Sequence, residues 1–233
     1  MSEAERLSHV RNRIAHAAKL ARRDPADITL IAVSKTQPAE LIEPMIGAGQ
    51  TVFGENRVQE AQAKWPGLRD AHVAAQLHLI GQLQSNKAEA AVRLFDAIHS
   101  VDRPSLVEAL ARAVEKVGNS PKLFVQVDIG NEPQKGGCAI GDLARLLGQA
   151  HDAGLVISGL MCVPPAAVEA APYFALLAKL GRDNGLPLLS MGMSNDYETA
   201  VMLGATHVRV GSALAGLAEA RWGSLRGELV AAP

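Results

Sequence analysis

The chain has 233 residues, 48% of them hydrophobic and 20% charged, with 23 basic and 24 acidic side chains. Such a length and apolar content suffice for one large core, within the range of α/β barrels. The near-neutral balance offers no broad basic surface for nucleic acid or anionic membrane, and no apolar run is long enough to span a bilayer.

The N-terminal stretch "MSEAERLSHVRNRIAHAAKLARRD" lacks the apolar core of a signal peptide, and its acidic residues argue against a transit peptide. Leu7, Val10, Ile14 and Ala17 or Ala18 recur at helical spacing, which predicts a helix with one buried stripe. Strand-like and helix-like segments then alternate. Strands are expected at 28–35, 51–56, 77–82, 96–101, 122–129, 155–163, 186–193 and 206–213. Several are continuous apolar runs, as parallel strands covered on both faces require. Between them lie helical patterns such as "PAELIEPMIGAG", "RPSLVEALARAVEKVG" and "IGDLARLLGQAHDAG", many closed by glycine, with Pro104 suited to a first helical turn. Eight strands alternating with helices predict a closed (β/α)8 barrel of the TIM type with an added N-terminal helix, in a single domain over 1–233. An open doubly wound sheet would also alternate, so the strand count carries the preference. Cys138 and Cys162 form neither a C-x-x-C motif nor a zinc spacing. They read as free thiols of a reducing, cytoplasmic compartment.

Barrels of this kind work at the C-terminal ends of their strands, and phosphate sites often use the turns after strands seven and eight. Here those turns are "SMGMSNDYETA" and "RVGSALAG", which supply Gly192, Ser194, Gly211 and Ser212. Asn195 followed by Glu198 resembles a capping box, so a helix is expected to start there. Either turn alone could be an ordinary strand–helix connection. Neither is a dinucleotide or Walker fingerprint, and "KGGCAIG" fails both patterns and reads as a shaped loop.

The first strand ends in "AVSKTQP", with Lys35 beside a polar turn. Closing the barrel makes strands one and eight neighbours, which brings Lys35 within one strand of Gly211. A cofactor with a phosphate at one end and an aldehyde at the other could bridge them, and pyridoxal 5′-phosphate has this shape. In "THVRVGS", His207, Arg209 and Gly211 share one face and Val208 and Val210 the other, so Arg209 would lie one layer below the mouth. A lysine buried in cationic company favours its neutral amine, the form that attacks an aldehyde. Each residue also has a plainer reading. Lysines at strand ends are mostly solvated, Arg209 could pair with a carboxylate, Glu55 and Asn56 could be polar rim residues, and His78 and His99 read more readily as satisfied core or rim histidines.

Taken together, "AVSKTQP", "FGENRVQE", "LHLIGQLQSNK", "NEPQKGG", "GLMCVPP" and "LSMGMSNDYETAVMLGATHVRVGSALAG" resemble the pyridoxal phosphate homeostasis protein family, in order from about residue 28 to residue 216. The resemblance implies a fold-type III PLP barrel similar to the N-terminal domain of alanine racemase. It implies that Lys35 holds the cofactor as a Schiff base and that Ser194, Gly211 and Ser212 hold its phosphate. It places Arg209 near the pyridine nitrogen, and Asn56 and His78 around the ring. A cationic arginine there disfavours ring protonation and weakens the ring as an electron sink. Three positions depart from the family pattern: Asp128, often Asn; Ala215, often aromatic; and Cys162, commonly Thr or Ala.

The resulting expectation is a non-catalytic PLP carrier serving intracellular PLP storage, buffering or transfer, a monomer whose recipients would be PLP-dependent apo-enzymes. The alternative is a fold-type III racemase or decarboxylase of amino acids. Such a racemase needs a second acid/base on the opposite ring face, and the chain has only Tyr173 and Tyr197. A Schiff-base lyase using Lys35 directly on a sugar phosphate is a third reading. Lysines of aldolase barrels usually lie on a later strand.

Overall fold

A computed structural model describes residues 2–166 and 168–215. The expected extension of the domain to 233 lies outside them. Eight parallel strands form a closed barrel in sequence order: β1 Thr29–Val33, β2 Val52–Glu55, β3 Gln76–Leu79, β4 Ala97–Val101, β5 Lys122–Gln126, β6 Ile157–Met161, β7 Leu188–Met193 and β8 His207–Val210. The ring is sealed by β1 and β8, with Thr29 opposite His207 and Ala32 opposite Val210. An open sheet is thereby ruled out. Every expected strand is present, each shorter than its apolar run.

Around the barrel lie α1 Glu3–Leu20, α2 Ala39–Gly47, α3 Val58–Ala71, α4 Ala88–Leu94, α5 Pro104–Val117, α6 Leu143–Asp152, α7 Ala171–Asp183, α8 Tyr197–Met202 and α9 Ser212–Ala215. The predicted stripe of α1 is buried: Leu7, Val10, Ile14, Ala17 and Ala18. Ser2 and Glu5 close a reciprocal capping box at its start. Pro104 occupies the first turn of α5, and Gly118, at φ 70°, ends it. The capping box expected at Asn195 does not form. α8 starts one residue past Asp196, which accepts from the Met193 amide at 2.6 Å, while Glu198 turns outward to pair with Arg13.

Strand alternation divides the core. Outward residues such as Leu30, Ala32, Phe53, Val208 and Val210 join the helices in the main cluster. Inside the barrel, Ala97, Phe124 and Met161 form a separate small cluster. Close strand approach there depends on Gly159, where an added Cβ would stand 2.1 Å from the Leu188 carbonyl oxygen. Because the obstacle is backbone on the neighbouring strand, Gly159→Ala is expected to destabilise by about 3 kcal/mol, read as a lowered urea midpoint with unchanged slope.

Candidate cofactor site at the C-terminal mouth of the barrel

The turn that carries Lys35 is clamped from β2 and α3. At the end of β1, the Ser34 amide donates to the Gly54 carbonyl at 3.0 Å and the Ser34 hydroxyl donates to Glu55 Oε1 at 2.6 Å. Glu55 is fully buried, and the same oxygen accepts from Trp65 Nε1 at 3.1 Å and pairs with Lys64 Nζ at 2.7 Å. Lys64 Nζ also donates to the carbonyls of Ser34 and Gln37, each at 2.9 Å. Between those carbonyls, Thr36 adopts φ 61°, a left-handed conformation costly for a β-branched residue. Its amide donates to Glu60 Oε1 at 2.5 Å. Glu55 is therefore the counter-ion of a buried clamp rather than a rim residue. The Lys35 side chain is exposed above this turn, so the burial assumed in the argument for its neutral amine does not apply.

Lys35 lines a cavity of about 850 Å³ at the C-terminal mouth of the barrel. Asn56, Ser194, Arg209, Gly211 and Ser212 line the same cavity, so six of the seven sequence-derived site residues meet there. The volume is that of a small-molecule site. Two glycines next to lining residues sit in tight packing. A Cβ on Gly192, at φ 92°, would stand 2.5 Å from the Ala200 Cβ, and one on Gly81 would stand 2.3 Å from the Asn56 carbonyl oxygen. The Gly211 amide donates to Ser194 Oγ at 3.2 Å, joining the turns after β7 and β8. Ser194 keeps its own proton for an acceptor in the cavity.

Arg209 projects inward from β8, as alternation predicts, and is only 4% exposed. Its Nη1 donates to Ser190 Oγ at 2.7 Å and its Nη2 to the Cys162 carbonyl at 2.9 Å. Among the described residues no carboxylate pairs with it. Burial lowers its proton affinity from the ordinary arginine value, and Asp196 opposes this from a distance. A buried guanidinium facing a cavity without a counter-ion is costly unless a ligand supplies an acceptor or negative charge. Cys162 contributes its backbone carbonyl to this contact. Its thiol is pushed up to about 12 by burial and is unreactive.

His78 is not among the residues lining the cavity. It points into the barrel from β3, 3% exposed, with its Nδ1 3.1 Å from His99 Nε2. His99 stacks on Phe124 at 4.2 Å, and His207 approaches both rings. The plainer core reading thus describes His78 and His99 better than a direct ligand role. Burial, then His207, Lys122 and Arg69, push His78 down to about 3. Burial, then Lys122 and Arg209, push His207 to about 4, and His99 is held well below its usual range mainly by burial. Between these values and about 6.5 the unfolded chain binds the additional protons, so stability falls as pH is lowered. Urea midpoints should drop steeply from pH 7 to pH 5, with a limiting slope of about 4 kcal/mol per pH unit if all three imidazoles stay neutral in the fold.

Several lining residues escaped the reading of the sequence, chiefly Lys135, Val163, Pro164, Met193 and Asp196. Lys135 pairs with Glu132 at 2.7 Å and donates to the Pro164 carbonyl at 3.1 Å, which ties together the loops after β5 and β6. The signal available was "NEPQKGG". As expected, its glycines shape a loop, with φ 70° at Gly136 and 111° at Gly137. Asp128 accepts from the Glu132 amide at 2.7 Å, a loop-capping role that an amide oxygen could also fill. Ala215 ends α9, and Gly216 of the same motif lies outside the described residues. A second hollow of about 520 Å³ opens between α1, β1 and β2, where Arg11 is already taken up by Gly49 and Gln50.

Comparison with known proteins identifies the family. The family model for the N-terminal domain of alanine racemase matches residues 6–219. A pyridoxal phosphate homeostasis protein of Pseudomonas aeruginosa is 40% identical over 221 residues, covering 91% of this chain and 94% of that one. Another from Aquifex aeolicus is 37% identical over 227 residues, covering 93% and 98%. Among solved structures, PipY of Synechococcus elongatus, determined with PLP bound, is 42% identical with a TM-score of 0.79, covering 92% of this chain and all of that one. Alanine racemase of Bacillus anthracis, at 18% identity and a TM-score of 0.63, shares the fold over 91% of this chain and 56% of its own. The chain therefore belongs to the alanine racemase N-terminal domain family, and within it to the pyridoxal phosphate homeostasis proteins.

Proposed function

We propose that this protein binds pyridoxal 5′-phosphate in the cavity at the barrel mouth and serves in PLP homeostasis by storing, buffering or transferring it. The observation that carries the reading is the buried Arg209, without a carboxylate partner among the described residues, facing the same cavity as Lys35 and the Ser194–Gly211 turn. Bound there, PLP supplies an aldehyde that condenses with a primary amine and releases water. Lys35 is the amine, exposed on its clamped turn. Ser194, Gly211 and Ser212 would hold the phosphate, Arg209 would serve the ring nitrogen, and Asn56 would line the site beside the ring. His78 lies inside the barrel, hydrogen-bonded to His99 and outside the lining of the cavity.

A cationic donor at the ring nitrogen keeps that nitrogen unprotonated and limits its capacity to withdraw electrons. Neither tyrosine lines the cavity: Tyr197 is buried beneath Arg13, and Tyr173 packs against the core. Both features favour a carrier over a racemase. PLP-dependent apo-enzymes are the recipients that this role requires. Among the described residues no helix is long and apolar enough to cross a membrane.

Borohydride reduction of PLP-loaded protein, followed by intact mass and peptide mapping, tests the binding reading. One pyridoxyl group on the peptide containing Lys35 is expected, and an unmodified mass would refute it. Incubating loaded protein with common L- and D-amino acids separates carrier from enzyme. Turnover well above that of free PLP would overturn the carrier role.

A further inference from the structure

Beneath the cavity, the polar groups inside the barrel form one continuous line. Arg209 Nη1 reaches Ser190 Oγ at 2.7 Å, Ser190 Oγ reaches His99 Nδ1 at 2.8 Å, and His99 Nε2 reaches His78 Nδ1 at 3.1 Å. Ser190 and His99 are fully buried, and His78 nearly so. We propose that Arg209 heads a one-way hydrogen-bonded chain that fixes His99 and His78 as neutral Nε2–H tautomers and makes Ser190 and His99 positioning residues for the guanidinium facing the cavity.

The direction follows from what each group can do. A guanidinium only donates, so Ser190 Oγ accepts from Arg209. The single Ser190 proton has no other acceptor among the described residues, and a buried hydroxyl that withholds its proton is left unsatisfied at a cost to stability. Ser190 therefore donates to His99 Nδ1. With Nδ1 accepting, the neutral ring of His99 carries its proton on Nε2 and donates to His78 Nδ1, which leaves the His78 proton on its Nε2. Reversing the line would require Ser190 to donate toward a group that cannot accept. The positively charged head thus sets every proton behind it, and no proton can be passed along the line to the cavity. Burial of the three imidazoles in the company of Lys122, Arg69 and Arg209 independently favours their neutral forms.

The line also fixes Arg209. The Cys162 carbonyl holds Nη2 and Ser190 holds Nη1, while His99, stacked on Phe124, holds Ser190 in turn. Two of the guanidinium's anchors are thus set by interior packing, and its remaining donor edge is available to a ligand.

Nitrogen NMR of the unliganded, ¹⁵N-labelled full chain reads the tautomers directly. His99 and His78 should both show protonated Nε2 and bare Nδ1, unchanged between pH 5 and 8. A proton on His99 Nδ1, or titration of either ring in that range, would overturn the proposal. In Arg209→Glu the head of the line becomes an acceptor, so the His99 proton should move to Nδ1. Its retention on Nε2 would show that the head does not set the direction. A second arm rests on the proposed ligand and tests positioning. Ser190→Ala should weaken PLP about tenfold, equivalent to about 1.4 kcal/mol, yet weaken the analogue with carbon in place of the ring nitrogen less than about twofold. Equal losses for both would make Ser190 merely structural. The NMR arm needs no ligand, so failure of PLP to bind would sink the functional reading and leave the tautomer assignment standing.

Discussion

Lys35→Ala is expected to remove the borohydride-fixed pyridoxyl label from the β1–α2 turn and to lower total fixed label at least about tenfold. The reason is geometric. Lys35 is the exposed amine on the cavity wall, and it stands one strand from the Ser194–Gly211 turn through the β1–β8 seam. A Cβ built on Gly211 would stand 3.3 Å from Val33 Cβ, which shows how tightly that seam closes. Lys135 also lines the cavity, but its ammonium is engaged by Glu132 and the Pro164 carbonyl. An amine held as a paired cation is a poor nucleophile. Peptide mapping of wild type and variant, reduced under identical conditions, checks this. An undiminished label in the variant would assign the aldehyde to another amine and detach Lys35 from the site.

Lys64→Met carries the second large effect, this time on stability. The substitution keeps most of the side-chain volume but removes the cation that, among the described residues, alone pairs with the fully buried Glu55, at 2.7 Å, together with two hydrogen bonds to the carbonyls of Ser34 and Gln37. Breaking a buried pair from one side leaves an uncompensated carboxylate and costs about 3–5 kcal/mol. For a chain of this size that is a fall in melting temperature of roughly 6–20 °C. The turn it releases holds Thr36 at φ 61°, so Lys35 should also lose its fixed placement. PLP affinity, measured well below the new melting temperature, should therefore drop as well. Calorimetry and equilibrium titration check the two parts separately. A variant with unchanged stability would show that the clamp is an ordinary surface pair.

Much of the fold could be read along the chain because its elements are encoded locally. The 3.6-residue stripe of α1 and the apolar strand runs need only short-range alternation, and they recur in the structure nearly where expected. Parity within "THVRVGS" placed Arg209 inside and Val210 outside for the same reason. The strand ends and the start of α8 were less legible. Asp196 rather than Asn195 precedes that helix, and Glu198 pairs with Arg13, 185 positions earlier in the chain, a partner that no local pattern records.

The sequence alone determined the barrel order, the amine after the first strand, the glycine and serine turns after the last two, and, through its motifs, the family. Tertiary structure decided which polar groups are satisfied by protein and which are left for a ligand. Glu55 passed from rim to buried counter-ion, His78 from ring neighbour to interior link, and Arg209 from possible ion-pair partner to a cation with no carboxylate partner among the described residues. These assignments depend on distances between strands far apart in sequence and on exclusion of water from the barrel interior, quantities that exist only once the ring has closed.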